Sequence, residues 1–139
     1  MAMQNSDYDE TVSKTDFLEN KYSSILDLRY GFEVNQGWLP ILEEFFSMAI
    51  VFEGWFKVVQ IKEKFGSLRI YVDTEEGFSK EDDMLLQGLI SEAEFKATRT
   101  CYDCGARNLV SGGRRRFYPV CEACYEKAQQ RRLSKGQQI

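Results

Sequence analysis

The sequence lacks histidine altogether, and this absence among its 139 residues excludes several kinds of chemistry. Serine–histidine and cysteine–histidine nucleophiles need a histidine as general base. The HNH nucleases, which carry their chemistry on a treble-clef zinc fold, need histidine for metal binding and for general base catalysis. Motifs of the GxxxxGK[ST] and GxGxxG types are missing as well. We therefore expect no enzyme, no catalytic residue and no small-molecule substrate.

Long apolar runs are also missing. The longest apolar stretch, residues 45–52, is interrupted by Ser47 and is too short to span a bilayer. The first ten residues are polar and acidic, unlike the basic and then apolar start of a secretory signal peptide. The sequence therefore predicts a cytoplasmic protein that does not contact membranes.

Charge is unevenly distributed along the chain. Residues 1–95 carry 8 basic and 19 acidic side chains, a net charge of −11, whereas residues 96–139 carry 10 basic and 3 acidic ones, a net charge of +7. The acidic part could contact the nucleic-acid-binding site of another protein, and the basic end could contact nucleic acid itself.

Apolar residues repeat with two different periods. Spacings of three and four residues predict helices over 16–28, 40–52 and 79–98, and alternation predicts strands over 56–63 and 67–73. A short connection containing Gly66 joins the two strands, so the fold class is α+β with helices packed on an antiparallel β-hairpin. The expected core residues of the third helix are Leu85, Leu86, Leu89, Ile90, Ala93 and Ala97.

The cysteines occur in two Cys-x-x-Cys pairs, Cys101 with Cys104 and Cys121 with Cys124, with sixteen residues between the pairs. A two-residue spacer lets both sulfurs of a pair face one tetrahedral ion, and in a reducing compartment such pairs indicate zinc. We therefore expect one structural Zn²⁺ per chain, with all four coordination positions filled. Two disulfides or free thiols are the alternatives.

The two cysteine pairs differ in the residues on their C-terminal side. Gly105 permits a tight turn after the first pair, and residues 125–133 after the second pair are good helix formers. Residues 107–120 predict a hairpin that turns at 111–113. A knuckle, a hairpin and two ligands at a helix start are typical of a treble clef, whereas a zinc ribbon more often has two glycine-bearing knuckles.

These features predict four segments along the chain. We expect a flexible N-terminus over residues 1–14, an α+β body over 15–98, a four-cysteine zinc module over 99–133 and a flexible tail over 134–139. Because the third helix leads directly into the first cysteine, we expect the module to be docked on the body.

Cations that could contact nucleic acid surround the second cysteine pair. They are Arg114, Arg115, Arg116, Lys127, Arg131 and Arg132. Arginines next to aromatic residues, here Phe117 and Tyr118, can contact phosphates and stack on bases. Alternatively, these cations compensate the negative charge that four thiolates leave on a zinc ion, or they contact a protein.

Two further groups of side chains have alternative interpretations. Lys62, Lys64, Phe65 and Arg69 surround the expected turn and are our candidates for contact with a protein partner; the alternative is the solvent face of a hairpin. The acidic residues between Asp73 and Asp83 could bind a metal or act in acid–base chemistry. They could equally form a solvated loop and an acidic helix start.

The stretch from Val59 to Tyr71, followed by a helix and two cysteine pairs, resembles a group of small, uncharacterised phage and bacterial proteins. Their pattern is Q-[VI]-K-E-K-F-G-x-L-R-[FI]-Y before a CxxCG zinc module, with an upstream Gly-Trp that matches Gly37–Trp38. The resemblance covers about residues 30–128, and Arg114–Arg116 are not part of its pattern. It implies the zinc ligands, the fold and a phage or prophage setting in a host cytoplasm, but no activity.

Two hypotheses for function arise from these observations. The first is a non-enzymatic accessory protein that binds and modulates a protein partner, such as an inhibitor of a host or defence component. The second is a nucleic-acid-binding or regulatory zinc-finger protein that acts through its basic C-terminal module.

Overall fold

The computed structural model describes residues 10–109 and 119–136. Within these residues it contains four α-helices and a three-stranded mixed sheet, which confirms the expected α+β class. The helices are α1 (Glu10–Lys21), α2 (Leu39–Ala49), α3 (Lys80–Ala97) and α4 (Glu122–Gly136), and the strands are β1 (Phe32–Glu33), β2 (Phe56–Lys64) and β3 (Ser67–Thr74).

The first helix differs at both ends from the expected range 16–28. α1 begins earlier, within the segment 1–14 that we expected to be flexible, and it ends earlier as well. After a short 3-10 turn, Leu26 becomes extended and pairs in parallel with Val58 of β2, and the N–H of Asp27 donates to the Val58 carbonyl (2.9 Å). Residues 26 and 27 are therefore extended and not helical, because they pair with a strand that is distant in the sequence.

The sheet has the strand order β1-β2-β3. β2 lies in the middle, parallel to β1 and antiparallel to β3. Phe65 and Gly66 connect β2 with β3, and both have positive φ (55° and 85°), as a tight two-residue connection between such strands requires. The sequence did not predict β1, because a strand of two residues has no measurable periodicity.

The core lies between one face of the sheet and the helices. Its sheet residues are Phe56, Val58, Ile61, Leu68 and Ile70, and α2 adds Leu39, Ile41, Leu42, Phe45, Phe46 and Ala49. Helix α3 begins as expected, because the Ser79 Oγ accepts a hydrogen bond from the N–H of Asp82 (3.0 Å). Its expected core stripe needs one correction: Leu85 is 61% exposed. Leu85 projects away from the line along which Leu86 and Ile90 are buried.

The C-terminal part ends in helix α4. This helix reaches Gly136, which lies within the tail that we expected to be flexible from residue 134. The hairpin expected over 107–120 lies mostly outside the described residues.

Candidate metal centre

The first cysteine pair lies in a tight turn that follows α3. The N–H of Gly105 donates to the Cys101 carbonyl (2.9 Å), and the N–H of Cys101 donates to the Ala106 carbonyl (2.8 Å). Gly105 has a φ of 87°, a conformation that glycine adopts without steric cost. The Cys104 N–H points at the Cys101 sulfur (3.5 Å). These contacts form the glycine-bearing knuckle that the sequence predicts.

The second pair lies at the start of α4. Cys121 directly precedes the helix and Cys124 lies in its first turn. The Cys124 N–H points at the Cys121 sulfur (3.4 Å), and the Tyr125 N–H donates to the Cys121 carbonyl (2.9 Å). Both cysteine pairs therefore aim a backbone N–H at a sulfur, as anionic thiolates require.

The sulfur atoms of the four cysteines form one cluster. All of them lie within 4.8 Å of one another, and the Sγ atoms of Cys104 and Cys121 are 3.7 Å apart. None of the four cysteines forms a disulfide. Four sulfurs at about 2.3 Å from a tetrahedral zinc ion would be separated by roughly 3.8 Å. The chemistry and spacing of these donors therefore fit a thiolate-bound metal ion.

The thiols differ in acidity. Burial by itself raises the pKa of the Cys101 thiol, but nearby backbone N–H groups lower this pKa to about 7. Those N–H groups belong to Cys104, Cys121 and Asp103. Burial raises the pKa of the Cys104 and Cys124 thiols, and hydrogen bonding with the Cys121 and Cys101 thiols raises it further in both. A divalent cation among the sulfurs would favour the thiolate form at every position.

The knuckle is fixed to the body by the segment before α2. The N–H of Gly37 donates to the Tyr102 carbonyl (3.0 Å), and the indole Nε1 of Trp38 donates to the Thr100 carbonyl (3.1 Å). The rings of Trp38 and Tyr102 are in edge contact, with centroids 4.5 Å apart. The Nδ2 of Asn35 donates to the Asp103 carboxylate (2.9 Å). These contacts hold the first cysteine pair in a defined position on the core.

A second connection is electrostatic. Glu44 of α2 contacts Lys96 of α3 (3.4 Å) and Arg107 beyond the knuckle (3.0 Å). Although partial burial opposes this effect, hydrogen bonds and charge attraction from Arg107 and Lys96 lower the pKa of the Glu44 carboxyl. One carboxylate thus joins two helices to the segment that follows the first cysteine pair.

Only some of the predicted nucleic-acid contacts come together. Lys127 and Arg131 of α4 line a polar groove of about 460 Å³ next to Cys104 and Cys124. Asn35, Gln36 and Asp103 complete its lining. Arg132 is exposed on the same helix, outside this lining. Arg114, Arg115 and Arg116 lie outside the described residues.

The residues predicted to contact a protein lie on the sheet, at and near its turn. Phe65 is 75% exposed at the turn between β2 and β3, and Lys64 is exposed next to it. Lys62 and Arg69 are half-buried and occupy paired positions of β2 and β3. All four side chains therefore belong to one continuous part of the β2–β3 surface.

The acidic residues between Asp73 and Asp83 do not form a metal site. In the described part of the chain, the four cysteines are the only group of Cys, His, Asp or Glu side chains close enough to hold an ion. Asp73, Glu75, Glu76 and Glu81 are exposed, which agrees with a solvated loop and an acidic helix start.

The anchoring role of Gly37 and Trp38 was not predicted from the sequence. The only sequence signal was a glycine followed by a tryptophan ahead of a helix, and it gave no partner for either residue. Their contacts join positions more than sixty residues apart in the chain, such as Trp38 and Thr100.

No family model matches this sequence, and no curated protein or solved structure is significantly similar to it. None of the described helices combines the length and the apolar character that crossing a membrane requires.

Proposed function

We propose that Cys101, Cys104, Cys121 and Cys124 bind one structural Zn²⁺ in a treble-clef-like module. The observation that carries this proposal is the convergence of four thiols within 4.8 Å. An all-sulfur tetrahedral donor set favours zinc over harder divalent ions. The glycine-bearing knuckle followed by ligands at a helix start supports the treble-clef assignment.

Metal analysis of the purified protein tests this assignment. We expect about one zinc per chain, and replacement by Co²⁺ should give the absorption spectrum of a tetrahedral thiolate site. Cys104→Ser is the informative variant, because Cys104 is exposed and its loss leaves no cavity in the core. Cys104→Ser should lower the zinc content strongly, whereas Ser91→Ala, at an exposed position of α3, should not. Parent protein with less than about half a zinc per chain would contradict the proposal.

A zinc site of this kind acts as a scaffold and not as a catalyst. Four protein ligands leave no open position for a substrate or an activated water. The chain contains no histidine to act as general base near neutral pH. We therefore propose a non-enzymatic binding protein that works in a reducing compartment such as the cytoplasm, where thiols remain available to metal.

The first candidate partner is a protein, with the chain acting as a phage-type accessory factor that modulates a host or defence component. The exposed Phe65 and the neighbouring cations of the β2–β3 surface support this candidate. Aromatic and arginine side chains are enriched among residues that dominate binding energy in interfaces. Affinity purification from host lysate should recover a stoichiometric partner, and none should be retained if the candidate is wrong.

The second candidate partner is nucleic acid, contacted through the C-terminal module. Lys127 and Arg131 line one groove beside the cysteine cluster, which supports this candidate. A gel shift at about 50 mM salt should then show binding that falls as salt rises. Lys127→Glu with Arg131→Glu, or Arg114–Arg116→Ala, should abolish the shift, while Lys14→Glu should not. A missing shift at micromolar protein would exclude this candidate.

A further inference from the structure

The β2–β3 surface has an outer face that no described helix covers. Side chains alternate along β3, and along β2 on either side of a register shift between Val58 and Gln60, so one face packs into the core and the other faces solvent. The outer face carries Lys57, Gln60, Lys62, Lys64, Arg69, Tyr71 and Asp73, and Glu33 of β1 lies beside it. Four of the eight basic residues in the strongly acidic region 1–95 are therefore on this face.

Two of these cations lie directly opposite each other. Lys62 and Arg69 are paired positions of neighbouring antiparallel strands, an arrangement in which like charges destabilise a sheet. In the described part of the chain, neither cation forms an ion pair, and Lys57 and Lys64 form none either. The sheet thus presents four cations that form no ion pair with any described carboxylate.

Carboxylates are few on the same face. Glu33 lies beside Lys62 in the parallel register, but its Oε2 accepts a hydrogen bond from Gln60 Nε2 (3.4 Å). Asp73 lies opposite Lys57. Asp27 and Arg29 line a groove with Gln60 and Asp73 at one end of this face and add one charge of each sign. The other four cations therefore face two carboxylates, on a part of the chain that is otherwise acidic.

Two exposed aromatic rings accompany the cations. The ring of Tyr71 is approached by Lys62 Nζ at 5.8 Å, and the ring of Phe65 by Lys64 Nζ at 5.7 Å. Phe65 is the less expected of the two, because it has a φ of 55° in a turn that favours asparagine or glycine. An aromatic residue here costs stability and presents an apolar ring to solvent.

We infer that this outer face binds an acidic segment of a partner protein, with Lys62 and Arg69 contacting carboxylates and Phe65 and Tyr71 contacting apolar groups. The inference rests on the proposed protein-binding function and names the chemistry of the partner. Paired cations are complementary to carboxylates, and a partner carboxylate between them would remove the repulsion within the sheet. Nucleic acid is the other polyanion that such cations can contact, and the experiment distinguishes it from an acidic peptide.

Fluorescence anisotropy with defined probes tests the inference. The probes are a labelled polyglutamate of about 20 residues and a labelled oligothymidylate of equal length, each titrated with zinc-loaded protein at about 50 mM salt. We expect polyglutamate to bind more tightly than oligothymidylate. Lys62→Glu with Arg69→Glu should weaken polyglutamate binding at least about tenfold, because like charges across an interface are strongly unfavourable.

The matched control is Lys80→Glu with Lys14→Glu. Both lysines are exposed and lie away from the sheet, so this variant makes the same change in net charge. It should bind polyglutamate within about twofold of the parent protein if the sheet face is the site, since distant exposed charges are largely screened. Equal weakening by both double variants would show that net charge and not this face determines binding, and it would overturn the inference.

Other outcomes separate this inference from the proposed function. Tighter binding of oligothymidylate, lost in the sheet variant, would overturn the inference in favour of a nucleic-acid surface. No binding of either probe at about 100 μM, a concentration at which even weak electrostatic contacts are visible, would overturn it as well. A stoichiometric lysate partner that the sheet variant still retains would preserve the protein-binding function and reject this face. Zinc content must be equal in all variants.

Discussion

Gly37 lies against the backbone of the first cysteine pair. A Cβ atom at this position would overlap the backbone carbonyl oxygens of Cys101 and Tyr102. The carbonyl of Gly37 also packs close to Gly105, where an added Cβ would lie 3.2 Å from it. Gly37 is thus required by the closed space between two backbone segments, and Gly105 by its close approach to Gly37 together with its positive φ.

Gly37→Ala should therefore destabilise the zinc-loaded protein by about 1–3 kcal/mol, the usual cost of forcing a methyl group into a closed space. The obstructing atoms are backbone atoms and cannot move aside as a flexible side chain would. Urea unfolding followed by circular dichroism measures the loss, and competition with a chelator should show weaker zinc retention.

Gly88→Ala is the matched control. No heavy atom lies within 4 Å of a Cβ placed at Gly88, which is in the middle of α3. This substitution should stabilise the protein by about 0.5–1 kcal/mol, because glycine is unfavourable inside a helix. Equal stability of Gly37→Ala and the parent protein would show that the contact at Gly37 is not tight.

Among the secondary-structure elements, those with a long periodic pattern were predicted well. α2, α3, β2 and β3 follow from apolar spacing, and the start of α3 follows from the Ser79 cap. The ends of α1 and the short strand β1 could not be predicted, because pairing with β2 decides them. Local sequence carries no information about which distant strand will accept a backbone hydrogen bond.

The turn between β2 and β3 allows a test of whether the left-handed conformation of Phe65 costs stability. Phe65→Asn should stabilise the protein by about 1 kcal/mol, because asparagine tolerates the left-handed conformation that phenylalanine disfavours. Thermal unfolding measures the change. Phe95→Asn is the control, since Phe95 is similarly exposed but lies in α3, and it should bring no gain. A lower melting temperature for Phe65→Asn would indicate that the ring of Phe65 contributes more than its backbone conformation costs.

The ion pairs of Glu44 in α2 with Lys96 of α3 and with Arg107 predict a pH dependence. The Glu44 carboxyl has a lowered pKa in the folded protein, so its stabilising effect is complete above about pH 4.5 and is lost as pH falls through the folded pKa. Because the side chains are exposed, the effect should be only about 0.2–1 kcal/mol. Glu44→Gln should remove it.

The measurement compares unfolding free energies of the parent protein and Glu44→Gln between pH 7 and pH 3. The difference between them should be present at pH 7 and shrink on acidification. Zinc content is measured at each pH, because release of the metal would disturb Arg107 next to the knuckle and would not cancel between the two proteins. A difference that stays constant down to pH 3 would exclude the carboxylate as its source.

At the scale of the whole molecule, removing the metal should change the packing of the core as well as the structure of the C-terminal part. A strong chelator should disorder the knuckle, whose apparent zinc binding free energy is about 10–16 kcal/mol in comparable sites. Trp38 is fully buried against Tyr102, so its emission should shift to longer wavelength. Trp55→Phe isolates this signal, because these are the two tryptophans of the chain. The shift should reverse when zinc is restored; an unchanged spectrum would show that the body does not depend on the metal.

The composition of the site was predictable from sequence, whereas its placement was not. Spacing alone identifies Cys101, Cys104, Cys121 and Cys124, because a pair of sulfurs separated by two residues has a defined geometry. The docking of the knuckle through Trp38 depends on how α2 and α3 pack, which is a property of the assembled core. Isolated motifs do not encode such contacts.

The contact between Asn35 and Asp103 spans 68 positions of the chain, and this separation has a consequence for the order of assembly during synthesis. Contacts between distant positions form late, and chains emerge from the ribosome starting at the N-terminus. β2, β3 and α3 emerge from the ribosome before Cys121, so the body can form before the second cysteine pair emerges. In arrested chains that end before Cys121, β2 and β3 should therefore be paired although the chain retains no zinc. The ion should then bind to a body that has already folded.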